Sequence, residues 1–307
     1  MALTLIEAAK LETGNVIRSA IIELYAGSSG ILRVLPWTNI AGNALKYNRE
    51  GNLPGVGFRG VNEAFASSTG VLNPITEPLV IAGGDLDVDR FILQTMGMQQ
   101  RSMHESMKIR SLALTFTRKF LKGDQLSDPR EFDGLQTRVV GNQLIAAGAT
   151  ANGTPLSLAK LDEAIDQTLN PTHLIMNKAM KRRLTTAVRA GLGGQIEIGL
   201  DEFGKQVEIY NGLPIITVDL DADGVSILPF TEAATSGTAT ATSIYVVSLG
   251  GEGLNGIQNG GVDVRDLGEL QTAPVFRTRV EWFVGLAVFN GRAVARLWSI
   301  SDAAVTA

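Results

Sequence analysis

Three groups of residues have the types and spacing that could support chemistry, and the first is a glycine-rich motif. Residues 251–256 (GEGLNG) match the G-x-G-x-x-G pattern of dinucleotide-binding proteins and follow a predicted strand at 244–249. In those proteins a helix begins directly after the glycines, because its N-terminus faces the pyrophosphate. Here residues 257–261 (IQNGG) are turn-forming instead. The motif therefore predicts a glycine-rich turn rather than a nucleotide site.

The second group is an acidic segment. Asp219, Asp221 and Asp223 alternate ahead of Gly224, as in the first half of a calcium-binding EF-hand loop. Such a loop has a bidentate glutamate at its twelfth position, where this chain has Phe230, and it lies between helices rather than strands. An acidic turn between strands is the preferred interpretation, and weak surface cation binding is the alternative.

The third group consists of the two histidines, His104 and His173. A Ser-His-Asp triad needs a nucleophile setting such as G-x-S-x-G, and the chain contains neither that motif, nor a Walker lysine loop, nor H-E-x-x-H. We interpret both histidines as structural or surface residues. The sequence therefore predicts no catalytic residue, no cofactor and no metal ligand, and we expect that the chain is not an enzyme.

Two predicted helices carry clusters of basic residues. Six basic residues between 101 and 122 outnumber the single Glu105, and a shorter helix at 177–189 has five basic residues and no acid. Such a face is usually solvated. The alternative is contact with phosphate, which without interleaved aromatic residues would be non-specific and salt-sensitive. The candidates for non-specific DNA or phosphate contact are Lys178, Lys181, Arg182 and Arg183.

Composition limits the class of protein. The 307 residues include 27 Lys and Arg against 31 Asp and Glu, a formal net charge of −4, which argues against a protein that coats nucleic acid. The absence of cysteine excludes a disulfide scaffold and thiol catalysis. No apolar run is long enough for a membrane helix and residues 1–10 lack signal-peptide features, so we expect synthesis in the cytoplasm and no membrane association. The 34 glycines beside 6% aromatic residues predict many turns and thin, extended segments.

The N-terminal part of the chain predicts an arm followed by a long hairpin. Apolar spacing predicts a helix at 4–29 and a strand at 31–37. Within the glycine- and proline-rich segment 42–84, apolar and polar residues alternate at 45–48 and again at 56–61, as in a hairpin. This ribbon has too few large apolar residues to bury its own faces. It is therefore either a disordered insert or a segment whose partner surface another chain supplies.

A long helix is predicted at 87–122 from apolar residues that recur every three or four positions. Asp85, Asp87 and Asp89 suit the positive end of its dipole, so helix capping explains them. At about 1.5 Å per residue an unbroken helix would be about 54 Å long, which favours an elongated, flat subunit. A kink at Gly97 would weaken that argument.

The remaining residues alternate helices and strands, which predicts a mixed α+β class. Helices are predicted at 135–147, 157–169 and 177–189, and a loop is predicted at 232–242. The predicted strands are 172–176, 207–210, 213–218, 226–229, 244–249, 262–264, 275–283 and 293–300.

The order of these elements resembles the major capsid protein of tailed bacteriophages, which has the Hong-Kong-97-type fold. Five local segments are also similar to one capsid subfamily, and their specificity comes from matching in order over essentially the whole chain. They are residues 1–10 (MALTLIEAAK), 42–63 (GNALKYNREGNLPGVGFRGVNE), 173–184 (HLIMNKAMKRRL), 204–219 (GKQVEIYNGLPIITVD) and 278–297 (TRVEWFVGLAVFNGRAVARL).

The resemblance implies an α+β Hong-Kong-97-type capsid fold built from an arm, a loop and two domains. The implied parts are an N-terminal arm at 1–41, an extended β-hairpin loop at 42–80, a peripheral domain at 81–153 and 249–285 that includes a long spine helix at 85–122, and an axial domain at 154–248 and 286–307.

The resemblance also implies that the extended hairpin lies across a neighbouring copy of the chain. The inter-subunit interface residues would then be Leu45, Tyr47, Arg49, Glu50, Leu53, Val56, Phe58 and Arg59. Some relatives crosslink a loop lysine to an asparagine of the neighbour, which here would join Lys46 to Asn255 or Asn259. The sequence provides no reason for the acid–base environment that this reaction needs, so we do not expect it.

The predicted function is that of a major capsid protein, in which pentamers and hexamers of the chain self-assemble into an icosahedral shell around double-stranded DNA. The first residues of the sequence already resemble the arm, which implies a separate scaffolding protein or none. Portal and decoration proteins are further expected partners. The location would be the virion, after synthesis in the host bacterial cytoplasm. The alternatives are an encapsulin-like nanocompartment shell and, in another class, a nucleotide-binding cytosolic enzyme.

Overall fold

The computed structural model describes residues 3–4, 29–191, 196–200, 206–235 and 237–306. Both helices and strands are present, as the α+β class requires. The helices are α1 (Gly30–Val34), α2 (Arg90–Met96), α3 (Gln99–Lys122), α4 (Leu135–Arg138), α5 (Leu158–Gln167) and α6 (Lys178–Arg189). The strands are β1 (Leu3–Thr4), β2 (Pro36–Asn39), β3 (Ala44–Asn52), β4 (Val71–Pro78), β5 (Val80–Asp89), β6 (Leu144–Ala146), β7 (His173–Asn177), β8 (Ile196–Leu200), β9 (Gln206–Tyr210), β10 (Leu213–Val218), β11 (Glu232–Ala233), β12 (Ala239–Val247), β13 (Leu254–Glu269), β14 (Val275–Val288) and β15 (Val294–Ser301).

The described strands form three sheets. A five-stranded sheet has the order β1-β2-β13-β14-β5, in which the long strands β13 and β14 are antiparallel and central. An eight-stranded sheet has the order β6-β15-β12-β7-β10-β9-β8, with β11 beside β12. The third sheet is the separate hairpin of β3 and β4. None of the helices in the described ranges is long and apolar enough to span a membrane.

Helix α3 covers one face of the five-stranded sheet, and three aromatic rings lie at the centre of this core. The ring of Phe116 lies 5.5 Å from that of Trp37 and 5.0 Å from that of Trp282, measured between centroids. Gly256 lies directly against Trp37, and a Cβ added there would come within 2.6 Å of the indole ring. The last glycine of the G-x-G-x-x-G motif is therefore needed for packing, since only glycine allows this close approach.

A second core lies between the eight-stranded sheet and helices α5 and α6. Leu161 of α5, together with Met180 and Leu184 of α6, is buried against the sheet. Helix α6 begins after Asn177, because the side chain of that residue accepts a hydrogen bond from the backbone N–H of Met180 at 2.7 Å and caps the helix. The predictions of both helices and of the strand before α6 are confirmed.

The C-terminal end of α3 is joined to the second sheet by a buried network of charges. Lys122 lies 2.9 Å from a carboxylate oxygen of Glu232, and the second oxygen lies 3.1 Å from the guanidinium of Arg296. Glu232 and Arg296 are both buried, so this network satisfies charges that would otherwise be costly in the interior. The network fixes one end of the long helix relative to the eight-stranded sheet.

The spine helix predicted at 85–122 is wrong at its N-terminal end. Residues 85–89 belong to β5, and not to a helix, because Asp85 and Asp87 pair across the sheet with arginines of β14. The Nε atoms of Arg279 and Arg277 lie 2.7 Å from Asp85 and 2.6 Å from Asp87, respectively. Capping therefore does not explain these two carboxylates.

The remaining part of the predicted spine is divided into two helices. Asp89 does cap α2, since its carboxylate accepts a hydrogen bond from the backbone N–H of Phe91 at 2.7 Å. The helix is interrupted at Gly97, whose φ of 85° lies outside the helical region. The continuous helix α3 has 24 residues and is about 36 Å long. An unbroken helix of about 54 Å was the argument for an elongated, flat subunit. The continuous helix is shorter than that, so it no longer supports this prediction.

The segment predicted as a strand at 31–37 begins with the short helix α1. Ile31, Leu32 and Leu35 are all buried, and one helical turn directs them to a common core. The turn ends at Leu35 because the following Pro36 disfavours a helical conformation of the residue before it. The predicted strand is confirmed only from Pro36 onward.

Other predicted boundaries were also wrong. Within 135–147 the helix α4 is followed by a 3-10 turn at Gly141–Gln143 and by β6, since Gly141 has a positive φ of 68°. No strand forms at 226–229, the predicted loop at 232–242 contains β11 and the start of β12, and the strand at 262–264 is part of β13. The helix predicted at 4–29 lies outside the described residues except at its two ends.

Asp221 joins α3 to the loop after β10. Its buried carboxylate accepts hydrogen bonds from the backbone N–H groups of Asp223 and Val225 and from Arg118 of α3, at 3.0, 2.8 and 2.6 Å. Burial by itself raises the pKa of Asp221, but the N–H groups of Val225 and Asp223 and the Arg118 guanidinium outweigh it, so that the pKa is lowered from its ordinary value of 3.8.

We predict that Asp221→Asn lowers the free energy of unfolding at pH 7, and that its difference from the wild type becomes smaller as the pH falls below 3.8. A carboxylate with a lowered pKa stabilises the folded state above its unfolded pKa, and that contribution is lost as the pH falls through the folded value. Urea denaturation between pH 2 and 7 measures the difference, with the exposed Asp223→Asn as control. A difference that does not change with pH would contradict this account.

Candidate functional site

The extended hairpin consists of two paired strands and an irregular tip. Strand β3 pairs with β4 in antiparallel register, and Tyr47 lies opposite Ile75. The tip, residues 53–70, contains no strand and is held by short-range hydrogen bonds, one of which joins Ser68 Oγ to the carbonyl of Gly55 at 2.8 Å. The predicted first strand is confirmed, but the alternation at 56–61 does not form the returning strand, because its glycines lack side chains for cross-strand pairing.

The base of the hairpin is anchored by a buried ion pair that the sequence analysis missed. Arg138 Nη2 donates to Glu77 Oε2 of β4 at 2.8 Å and to the carbonyl of Leu286 at 3.3 Å, and its Nη1 contacts the other oxygen of Glu77. Glu77 is 8% exposed. It is also the only charged residue between Glu63 and Asp85 in the sequence. An acid isolated in this way was the sequence signal that could have indicated a buried ion pair at the hairpin base.

Strand β3 is anchored at the same place by Tyr47. Its hydroxyl donates a hydrogen bond to the carbonyl of Val288 at 2.9 Å, and its ring lies 4.8 Å from that of Phe289 in an edge-on arrangement. Burial and the nearby Glu77 carboxylate raise the pKa of the hydroxyl, so it remains a neutral donor at pH 7. Arg49 also donates to the Val288 carbonyl. Both strands are therefore held at the end of β14.

The tip exposes apolar side chains that contact no core. Val56, Phe58 and Val61 are 96%, 109% and 93% exposed, and Leu53 and Phe65 are 77% and 66% exposed. Soluble monomers rarely expose so many large apolar residues in one segment, so such a surface indicates an interaction site. Val61 and Phe65 were absent from the predicted interface, although both follow the glycine-rich segment in the sequence.

The predicted interface residues divide into two sets. Leu45, Tyr47 and Arg49 are half-buried, and the last two contact their own chain at the hairpin base. The exposed set consists of Glu50, Leu53, Val56, Phe58 and Arg59. Arg59 is held over the Phe65 ring, with its guanidinium carbon 5.1 Å from the centroid, and donates to the carbonyl of Glu63 at 3.0 Å. The exposed set, with Val61 and Phe65, is the part available to a partner.

The basic helix α6 carries acidic partners for most of its charges. Lys178 contacts Asp219, Lys181 lies 3.3 Å from Glu208, and Arg183 Nε donates to Asp302 at 2.8 Å. Arg182 is exposed and has no ion pair with another described residue. Among the described residues the helix therefore presents two cations without an ion pair, Arg182 and Arg189, rather than the four-residue cluster that the sequence suggested.

The other two chemical motifs form turns in the structure. The G-x-G-x-x-G segment is followed by strand β13 instead of a helix, so no helix N-terminus is available for a pyrophosphate. In the acidic segment Asp221 uses its carboxylate for backbone N–H groups and Arg118, and Asp219 contacts Lys178. Across the described ranges, no group of three or more His, Cys, Asp or Glu side chains is placed to hold a metal ion.

Comparison with solved structures identifies the fold. The SrpI encapsulin of Synechococcus elongatus PCC 7942 matches with a TM-score of 0.66 at 18% identity, over 100% of this chain and 99% of that chain. The capsid of a native GTA particle matches with a TM-score of 0.65 at 16% identity, over 89% and 91% of the two chains. A chain of Microbacterium phage Oxtober96 matches with a TM-score of 0.63 at 12% identity, over 89% and 91%. No family model and no curated protein sequence matches the chain.

These similarities, at 12–18% identity, identify the fold of the chain. The chain has the Hong-Kong-97-type capsid fold, as the sequence resemblance predicted. The same fold occurs in a GTA capsid and in an encapsulin, so it is compatible with more than one kind of shell.

We predict that Arg138→Ala lowers the free energy of unfolding by about 3 kcal/mol, because Glu77 is left buried without its partner. Replacing both residues by leucine removes the unpaired charge, and we expect this double variant to recover most of the loss. Urea denaturation of the wild type, the single variant and the double variant measures both effects. An Arg138→Ala variant as stable as the wild type would mean that the pair does not anchor the hairpin.

Proposed function

We propose that the chain is the major capsid protein of a tailed phage, which self-assembles into an icosahedral shell around double-stranded DNA. The observation that carries the proposal is the hairpin tip, a set of exposed apolar residues on a ribbon whose base is fixed by Glu77 and Arg138. Such a surface needs an apolar partner. The neighbouring copy of the chain is the partner in this proposal.

Assembly through the hairpin does not require any single contact to be strong. Each subunit of a closed shell contributes one hairpin and receives another, so modest contacts are multiplied by symmetry. In this proposal pentamers and hexamers form the shell, a separate scaffolding protein assists, and portal and decoration proteins complete a virion. The peripheral domain comprises 81–153 and 249–285, and the axial domain comprises 154–248 and 286–307. The chain acts as a structural protein and not as an enzyme.

The charge distribution of the chain is consistent with the proposed function, in which the shell encloses DNA without binding it tightly. The acidic partners of α6 leave Arg182 and Arg189 as its exposed cations without an ion pair to another described residue, and the chain as a whole carries a formal charge of −4. Contact with DNA would then be weak, non-specific and sensitive to salt.

An encapsulin-like nanocompartment is the second candidate function. The encapsulin match favours it, because that alignment covers 100% of this chain and 99% of the other. The two functions differ in what the shell contains. Particles treated with nuclease and then opened release protected double-stranded DNA if the chain is a capsid protein. A co-purified host protein without DNA would instead support the nanocompartment and contradict the phage function.

We predict that replacing residues 53–70 by Asn-Gly leaves a folded subunit that no longer forms closed shells. Asn52 and Val71 are cross-strand partners, so a two-residue turn can join them without disturbing the hairpin base. Thermal denaturation tests folding, and sedimentation with electron microscopy tests assembly. The matched control is Leu126→Ser, which removes an apolar side chain that is 93% exposed elsewhere and should leave assembly intact.

Two results would contradict the proposed role of the tip. Closed shells formed by the variant without its tip would mean that the hairpin does not hold neighbours together. A variant that fails to fold would mean that the tip serves the subunit itself rather than the assembly.

A further inference from the structure

We propose that three side chains on the outer side of α3, Met103, His104 and Met107, form a binding site for a soft monovalent metal ion, Cu(I) or Ag(I). The ligands are two thioethers and one imidazole, so the site differs from the thiolate and carboxylate sites that the sequence motifs excluded. It lies outside the extended hairpin and does not depend on the proposed shell function.

The described methionines fall into buried and exposed sets. Met176 and Met180 are fully buried, which is usual for a flexible apolar side chain. Met103 and Met107 are instead 58% and 61% exposed, although both belong to a helix that packs on the first core. The buried side chains of that helix, such as Phe116, lie on its other side. The two exposed thioethers therefore contribute to neither core.

Helical spacing brings the three ligands together. Met103 and Met107 are four residues apart, and His104 and Met107 are three residues apart. Side chains at these spacings are neighbours on a helix, with about 5–6 Å between their Cβ atoms. Each methionine has three rotatable bonds, so both sulfur atoms can turn toward one ion. His104 is half-buried and forms no hydrogen bond or ion pair with another described residue, which leaves a ring nitrogen available to a metal.

The ligand types and the local charges select a soft cation of low charge. Thioether sulfur binds Cu(I), whereas Mg²⁺ and Ca²⁺ take oxygen ligands. The three ligands are neutral and do not offset the charge of a divalent ion. The acid nearest in the sequence, Glu105, is already paired with Arg101 at 3.2 Å. Arg110 lies one turn after Met107 and adds an exposed positive charge, so a monovalent ion is favoured over Zn²⁺ or Cu²⁺.

An apolar docking surface is the rival explanation for exposed methionines. On a helix such a surface continues with apolar side chains three and four positions away. Two glutamines at 99–100 lie one turn before Met103, and Arg110 and Ser111 lie one turn after Met107. The two methionines therefore have polar or charged neighbours along the helix, and His104 is beside them. This combination suits metal binding better than apolar docking.

Calorimetric titration of the full-length chain with silver nitrate, in a buffer without chloride, tests the site. Ag(I) is the probe because it needs no reductant, and the absence of cysteine means that no thiolate competes for it. We expect Met107→Leu to weaken Ag(I) binding by at least about tenfold, because leucine keeps the apolar volume and removes the sulfur. We expect Met103→Leu and His104→Gln to weaken it in the same direction.

Met96→Leu combined with Met98→Leu is the matched control. Both side chains are 66% exposed, but Met96 belongs to α2, and Met98 lies five residues before Met103, which is about 140° around the helix. We expect this double variant to bind Ag(I) as tightly as the wild type. Thermal denaturation without metal tests whether each variant is folded.

X-ray absorption spectroscopy of the wild-type chain loaded with Cu(I), kept reduced by ascorbate, gives an independent readout. We expect two sulfur ligands and one nitrogen ligand per copper ion. This measurement decides the question even where a variant fails to fold. A copper ion without sulfur ligands, a Met107→Leu variant that binds Ag(I) like the wild type, or displacement of Ag(I) by an equal concentration of Zn²⁺ would overturn the site.

Discussion

The ion pair between Glu77 and Arg138 is the constraint on which the proposed assembly depends, because it fixes the direction of a hairpin that has no other sheet to join. A two-stranded ribbon is marginally stable alone in water. Here one strand is tied by a buried carboxylate and the other by the Tyr47 hydroxyl, and both contacts end at the last residues of β14. The apolar tip is thus held away from the body instead of collapsing onto it.

The anchor in turn depends on the first core. Leu286 and Val288 can offer their carbonyls only because β14 is fixed between β13 and β5. That strand is held against α3 by the contact of Trp282 with Phe116. Close to that contact, the C-terminal end of α3 is tied to the second sheet through Lys122 and Glu232. The hairpin, the two cores and the long helix therefore form one connected set of contacts.

Local patterns in the sequence predicted part of this arrangement. The helix after Asn177 and the first strand of the hairpin were predicted correctly because capping and alternation act between close residues, whereas the returning strand lies at Val71–Pro78 and not at the predicted 56–61. Asp85 and Asp87 were misassigned because their partners lie more than 180 residues away, and a run of spaced acids suits a helix start equally well. Glu77 and Arg138 are 61 residues apart, so only the tertiary structure brings them together. Their role could not follow from spacing.

Single-particle electron cryomicroscopy of the purified full-length chain tests the central claim most directly. The account predicts closed shells in which each hairpin crosses to a neighbouring subunit and buries Val56, Phe58 and Val61 there. Particles in which the hairpin folds back on its own subunit, or a homogeneous monomer under every assembly condition, would contradict it.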